Sequence, residues 1–223
     1  MAAPWHHERL DPDSAEETDL RGHGHRLVAG VDEVGRGCLA GPVVAGAVIL
    51  EPGWAPEGLR DSKLLRRGER ERLDEEIRGR AVAWALGIVE PGVIDRLNIL
   101  QATLLASQLA VARLAVRPDA LLLDALHLPH LCVTQRALVA ADRLCVSVAA
   151  ASVVAKVARD RLMDGYDADY PVYGFARNRG YAAPEHRAAI RAHGPSPIHR
   201  RSFLGAFEPL DPDRPMLWPV DER

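Results

Sequence analysis

Residues 27–31, Leu-Val-Ala-Gly-Val, form a short apolar run that stops on two adjacent carboxylates, Asp32 and Glu33, and then on Gly35-Arg36-Gly37. That pattern constrains the fold more than any other in the chain. It reads as a buried strand ending at a loop with charge placed at its tip. Residues 42–50 form a second such run, rich in Val and Ala. Further along, residues 66–80 carry Leu73 and Ile77 one helical turn apart amid charge, which predicts an amphipathic helix. Residues 81–89 read as a third strand, although their Ala and Leu content also permits helix. Pro91 opens a helix expected to run unbroken to about residue 116, with Ile94, Leu97, Leu104, Leu105 and Leu109 on its apolar side. Residues 120–123 read as a short strand ending at Asp124, and 133–139 as another. Residues 147–166 and 185–193 read as helices.

Strands come first, and later strands are separated by helices. The expected fold class is therefore α/β, a mixed sheet flanked by helices, with a small helical C-terminal lobe at about residues 165–207. Residues 1–26 are polar and acidic with no apolar period, and are expected to be a disordered tail. Residues 208–223, Pro-rich and acidic, are expected to be a second tail, leaving 27–207 as the folded domain.

Composition excludes several classes. A length of 223 residues suits one domain, and 48% hydrophobic content is too high for wholesale disorder. No run reaches the length of a membrane span, and the N-terminus does not resemble a secretion signal. Three cysteines without a CxxC pair fit a reducing cytoplasm rather than a disulfide scaffold. The net charge of −3 hides acidic termini around a basic body. Residues 171–205 hold Arg177, Arg179, Arg187, Arg191, Arg200 and Arg201 against Glu185 alone, which suits a polyanionic ligand or a solvated face. Lysine survives only as Lys63 and Lys156.

Four acids lie at element ends among apolar neighbours: Asp32, Glu33, Asp124 and Asp160. Two unit charges ~4 Å apart repel by on the order of 4 kcal/mol at an effective dielectric of ~20. Protonation relieves that repulsion, and so does a divalent cation. All-oxygen ligands favour Mg²⁺ or Mn²⁺, and a pair of such ions supports phosphoryl transfer. A single Asp at a strand end is more often a turn or helix cap than a ligand. Strand alternation also sends Asp32 and Glu33 to opposite faces unless the strand ends or twists there. Asp160 follows Lys156 by one helical turn and shares its face.

Other constellations are weaker. His127, His130 and Cys132 lack a fourth zinc ligand. Gly35-Arg36-Gly37 is no dinucleotide fingerprint, but its glycines permit close approach of backbone to a ligand. Tyr166, Tyr170, Tyr173, Phe175 and Tyr181 lie beside Arg177 and Arg179, either as a small aromatic core or as a stacking surface, with Tyr181 expected to be exposed.

Five segments together resemble the type 2 ribonuclease H family, the ribonucleases HII of bacteria: AGVDEVGRG from Ala29 with LAGPVV after Cys38, DSKLL from Asp61, AASVVAKVARD ending at Asp160, YGFARNRGY from Tyr173 to Tyr181, and GPSPIHRRSF from Gly194. The resemblance spans residues 27–207. It implies a ribonuclease H-like fold and metal-dependent endonucleolytic cleavage of RNA in RNA–DNA hybrids and beside ribonucleotides embedded in duplex DNA. It implies that Asp32, Glu33, Asp124 and Asp160 bind one or two Mg²⁺ or Mn²⁺ ions and are catalytic. It implies substrate contacts from Gly35, Arg36 and Gly37 to the ribose 2′-hydroxyl, from Tyr181 at the RNA–DNA junction, and from Lys63; Lys156 is taken with them as substrate-binding. The protein is expected to act as a cytoplasmic monomer. Ala125 stands where the family usually has Gly, Ala140-Ala141-Asp142 where Lys-Gly-Asp is common, Cys38 for a frequent Pro and Arg179 for a frequent Lys. Two rivals remain at this stage, a non-catalytic nucleic-acid-binding module and a nuclease acting on DNA alone.

Overall fold

A computed structural model describes residues 11–207 of the chain. Its centre is a five-stranded sheet of β1 (Val28–Val34), β2 (Val43–Ile49), β3 (Ala83–Val89), β4 (Ala120–Asp124) and β5 (Thr134–Leu138), in the order β3-β2-β1-β4-β5. The first three strands form an antiparallel meander, while β4 and β5 run parallel to β1. The eight helices described are α1 (Ala15–Gly22), α2 (Arg67–Arg80), α3 (Pro91–Leu97), α4 (Ile99–Ala112), α5 (Val146–Asp169), α6 (Phe175–Asn178), α7 (Pro184–His193) and α8 (Arg201–Phe207). This is the mixed α/β sheet flanked by helices that the strand and helix periods predict.

One face of the sheet packs on α4 through Ala29, Val31, Leu121 and Leu123. The other face takes α5, which sits unusually close. A Cβ at Gly30 would lie 2.1 Å from the Ser147 carbonyl carbon, and one at Gly46 would lie 2.5 Å from the Ala151 oxygen. Missing side chains on β1 and β2, with Ala149, Ala150 and Ala151 opposite, let helix backbone rest on strand backbone. α5 is thereby fixed against the strand that carries Asp32.

Two expectations need correction. The helix from Pro91 is broken at Asn98, where φ is 72° and the side-chain oxygen accepts the Gln101 N–H at 3.1 Å. Asn tolerates the left-handed region and caps a new helix, so it divides an apolar pattern that is otherwise continuous. The expected N-terminal tail is also structured within the described part. Glu17 and Leu20 of α1 are buried, and Arg136 of β5 hydrogen-bonds both Glu16 and Asp19. These acids are consumed by specific partners, a use that leaves no apolar period. Residues 1–10 and the expected tail at 208–223 lie outside the described residues.

A third core unites Leu39, Ala40, Met163, Tyr173, Phe175, Ile190, Ile198 and Leu204. Tyr173 and Phe175 stack with centroids 5.4 Å apart. The loop after Glu33 thus belongs to the same core as the C-terminal helices, and Ala40 bridges to His199. No described helix is long and apolar enough to cross a membrane.

Candidate active site

The parallel β1–β4 ladder ends with Val31 beside Leu123, so the next residues on the two strands are Asp32 and Asp124. Neighbouring strands lie about 4.8 Å apart, which sets the two acids side by side at the carboxyl end of the sheet. A third Asp arrives from a short 3-10 turn, Ala141–Arg143, between β5 and α5. The Asp124 Oδ1 accepts the Ala141 N–H at 3.0 Å and so ties that turn to β4. Asp142, the next residue, is buried beside them.

The electrostatics show that these acids face one another. Burial pushes the Asp32 carboxyl up to about 8; Glu33, Asp142 and Asp124 add to the rise, and the Ser152 hydroxyl opposes it. Glu33 is raised by burial first, with Arg36 opposing and Asp124 adding. Asp142 is raised by burial, held back by Lys63, and raised again by Asp61 and Asp124. Glu33 shares the strand face of Ala29 and Val31, as alternation requires, and Asp32 points to the other face of β1.

Cations ring the cluster. Arg36 Nη1 lies 3.1 Å from Glu33 Oε1, and Lys63 Nζ lies 3.5 Å from Asp142 Oδ2. Buried Asp61 accepts the Lys63 N–H at 3.0 Å and receives Arg143 Nε at 3.2 Å, which steadies both basic residues beside Asp142. Gly35 has φ 93°, and a Cβ there would meet Arg159 Nε at 2.2 Å, so only Gly fits. Gly180, next to Tyr181, accepts the Leu39 N–H at 2.8 Å, which brings the Tyr181 segment against the Gly35–Gly37 loop. Tyr181 is 43% exposed.

Residues 29–206 match the sequence model of one family, Ribonuclease HII. The chain is 50% identical over 204 residues to the ribonuclease HII of Desulfitobacterium hafniense (strain DSM 10664 / DCB-2), covering 92% of this chain and 78% of that protein. The chain belongs to the ribonuclease HII family. It is 52% identical over 180 residues to the ribonuclease HII of Syntrophus aciditrophicus (strain SB), covering 81% of this chain and 85% of that one. The crystal structure of the ribonuclease H2 from Pyrococcus horikoshii OT3 superposes with a TM-score of 0.68 at 26% identity, covering 79% of this chain and 93% of the other. Membership makes the protein a nuclease of the ribonuclease H class, and the sheet end described above is its candidate active site.

The ribonuclease HII fold brings together Asp32, Glu33 and Asp124 but not Asp160. Ser152, which touches Asp32, precedes Asp160 by eight residues on α5, about 12 Å along the axis. Asp160 instead hydrogen-bonds Lys156 and faces Arg70 at 3.6 Å and Arg179 at 3.9 Å. Three cations leave it no surplus charge to offer. Lys156 is paired with it and mostly buried. The acid that takes the fourth place is Asp142, which the sequence reading passed over. The signal was present, because Ala140-Ala141-Asp142 stands at the family's Lys-Gly-Asp. The basic C-terminal stretch is likewise not all surface: Arg200 is wholly buried, and Arg179 is turned to Asp160 and Asp164.

The donor set suits a hard divalent cation. It consists of carboxylates, with no sulfur or imidazole among them, and burial, with the neighbouring acids adding, raises three of them above their ordinary values. Among the described residues no three His, Cys, Asp or Glu side chains stand in ligand geometry about one point. The acids converge on a sheet end rather than forming a closed cage.

Proposed function

We propose that this ribonuclease cleaves the RNA strand of RNA–DNA hybrids and nicks duplex DNA at embedded ribonucleotides, using Mg²⁺ or Mn²⁺ and leaving 3′-hydroxyl and 5′-phosphate ends. The observation that carries this reading is the convergence of Asp32, Glu33, Asp124 and Asp142 at the carboxyl ends of β1 and β4, where burial and mutual repulsion penalise their charges. Four acids facing a polyanion weaken binding unless cations lie between them. A structure of Bst-RNase HIII, which shares this fold with a TM-score of 0.58 at 20% identity over 75% of this chain and 63% of its own, is a complex with Mn²⁺.

Asp32, Glu33, Asp124 and Asp142 would hold the ions. When bound, such a pair of ions supplies an activated water and neutralises charge on the departing 3′-oxygen. Lys63 and Arg143, both substantially exposed beside Asp142, are placed to meet phosphate and fix the duplex without reading bases. In the Gly35-Arg36-Gly37 loop next to Glu33, Arg36 and Gly37 are exposed and Gly35 is buried beneath them, where a ribose 2′-hydroxyl distinguishes RNA from DNA. Tyr181 supplies an exposed ring beside them. Asp160 and Lys156 take a structural role, bracing α5 against Arg70 of α2 and against Arg179.

The test is cleavage of three duplexes, one with a single ribonucleotide, one with a long RNA strand and one of DNA alone, in Mg²⁺ and in Mn²⁺ with the cut mapped. Cutting of the first two with a 5′-phosphate at the new end is expected. Equal cutting of the all-DNA duplex would replace this reading with a DNA nuclease.

A further inference from the structure

Arg200 is wholly buried, yet every acceptor of its side-chain hydrogen bonds is a backbone carbonyl, with the Phe203 ring centroid 5.3 Å from its guanidinium. Its Nη2 donates to Gly35 O at 2.7 Å and to Gly41 O at 2.8 Å, its Nη1 to Arg36 O at 2.8 Å, and its Nε to Gly41 O at 3.0 Å. No carboxylate lies within ion-pair distance of it among the described residues. A buried guanidinium without an anionic partner is costly. Burial draws Arg200 down to about 10, so it stays protonated at neutral pH and a full positive charge sits under this loop.

The other edge of the same peptides is open. Arg36 and Gly37 are exposed, and their backbone N–H groups find no acceptor among the described residues. A Cβ at Gly37 would meet nothing within 4 Å, so the space above it is free. The peptide whose carbonyl is Gly35 carries the Arg36 N–H, and the peptide whose carbonyl is Arg36 carries the Gly37 N–H. A cation that takes the two carbonyls therefore fixes the direction of both donors and strengthens them by polarising each peptide.

We propose that Arg200 is a positioning residue for ribose recognition: it clamps the Gly35 and Arg36 carbonyls from beneath so that the Arg36 and Gly37 amides point at the sugar 2′-oxygen of the substrate. This rests on the reading that the loop distinguishes RNA from DNA. Arg159 completes the scaffold from the side, donating to Pro42 O at 2.9 Å, Ala40 O at 3.1 Å and Arg179 O at 2.9 Å. Arg200 belongs to the C-terminal segment, so the lobe reaches the substrate through the backbone it holds as well as through its surface.

The experiment measures affinity for two duplexes, identical except that one carries a single ribonucleotide, in an Asp124→Asn background where turnover is blocked. The ratio of the two dissociation constants reads the 2′-oxygen. Arg200→Lys keeps charge but loses the fork; Arg200→Gln removes the buried charge and is the variant better suited to fold. Gly37→Pro deletes one donor N–H without touching Arg200. Each is expected to shrink the ratio at least fivefold while changing all-DNA affinity less than twofold. An unchanged ratio in a cooperatively melting Arg200 variant overturns the proposal, and so does an unchanged ratio in Gly37→Pro. Equal losses on both duplexes also overturn it, because they would assign the amides to phosphate or Arg200 to stability alone. A ratio of one in the background protein overturns it together with the ribose reading on which it rests.

Discussion

The Asp124 carboxylate accepts the Ala141 N–H at 3.0 Å, and this bond delivers Asp142 to the cluster. One acid positions the segment that bears another. Asp142→Asn should therefore keep the fold and lower turnover at least a hundredfold in Mg²⁺, since it removes an anionic ligand while preserving size. Asp160→Asn should cost far less turnover and should lower the melting temperature, because Lys156, Arg70 and Arg179 lose their shared anion. Single-turnover rates and melting curves of the two variants check this. A larger rate loss for Asp160→Asn would restore it to the catalytic set.

Metal-free stability should fall as pH rises from 7 to 8. The folded Asp32 carboxyl sits at about 8, against an ordinary value near 3.9 in an unfolded chain. In between, the folded state binds the extra proton, so raising pH favours unfolding until the folded value is passed. Glu33 and Asp142 are shifted the same way. His199 has the opposite sign: burial holds it at about 3, so stability rises with pH up to its ordinary value near 6.5. The window above pH 7 therefore isolates the carboxylates. Melting in chelator should show a decline there that Asp32→Asn flattens, and added Mg²⁺ should stabilise more at pH 8 than at pH 6.

Glu17→Ala should destabilise the enzyme by about 1–3 kcal/mol, a fall of roughly 3–10 °C in melting temperature for a domain of this size. The Glu17 carboxylate accepts both the backbone N–H of Ser147 at 2.9 Å and its hydroxyl at 2.6 Å, at the first turn of α5. Composition alone suggests that removing residues 1–19 is harmless. The structure predicts the reverse, because that deletion takes the α5 cap with it. A melting temperature unchanged by Glu17→Ala would show that solvent replaces the cap.

The difference between what was legible and what was not follows from which signals have a period. The buried strands of residues 28–34 and 43–49 announce themselves by Val and Ala, and Asp32 and Glu33 by ending the apolar run of the first. α1 carries one buried apolar residue, Leu20, and is held by carboxylate contacts to residues more than 100 positions away, which no local pattern encodes. Asp160 follows Arg159 and Asp142 follows Ala141, and neither neighbour tells what the carboxylate meets. Only packing reveals that the first meets three cations and the second meets acids. Asn98 splits a helix by adopting a left-handed conformation, a choice made by local capping rather than by hydrophobic spacing.

Ala125→Gly should stabilise the fold by about 0.5–1 kcal/mol, seen as a rise of a few degrees in melting temperature. Ala125 has φ 50°, in the left-handed region where a Cβ is crowded and Gly is free. It follows Asp124 directly, and its N–H donates to Leu138 O at 2.9 Å, so the conformation is fixed by sheet pairing. This explains the glycine usual at this position of the family. A lower melting temperature in Ala125→Gly would mean that unfolded-chain entropy outweighs the relieved strain.

Tyr181→Ala should damage cleavage at a single ribonucleotide more than cleavage within a long RNA strand. The ring is 43% exposed and stands beside the Gly35–Gly37 loop, with the Arg159 guanidinium 6.0 Å from its centroid and its hydroxyl against Cys38. An exposed aromatic fixed on one side by a cation and a thiol has its free side available to a sugar or base. Losing such a contact typically removes ~1–3 kcal/mol, roughly ten- to hundredfold in rate or affinity. A single ribonucleotide offers one productive register, whereas a long RNA strand offers many, so the loss is felt most by the former. Tyr181→Phe should keep most of the stacking and separate the ring from its hydroxyl. Rates on both duplexes, taken with melting curves, decide the matter. Equal rate losses accompanied by a lower melting temperature would make Tyr181 a prop for the loop rather than a contact to substrate.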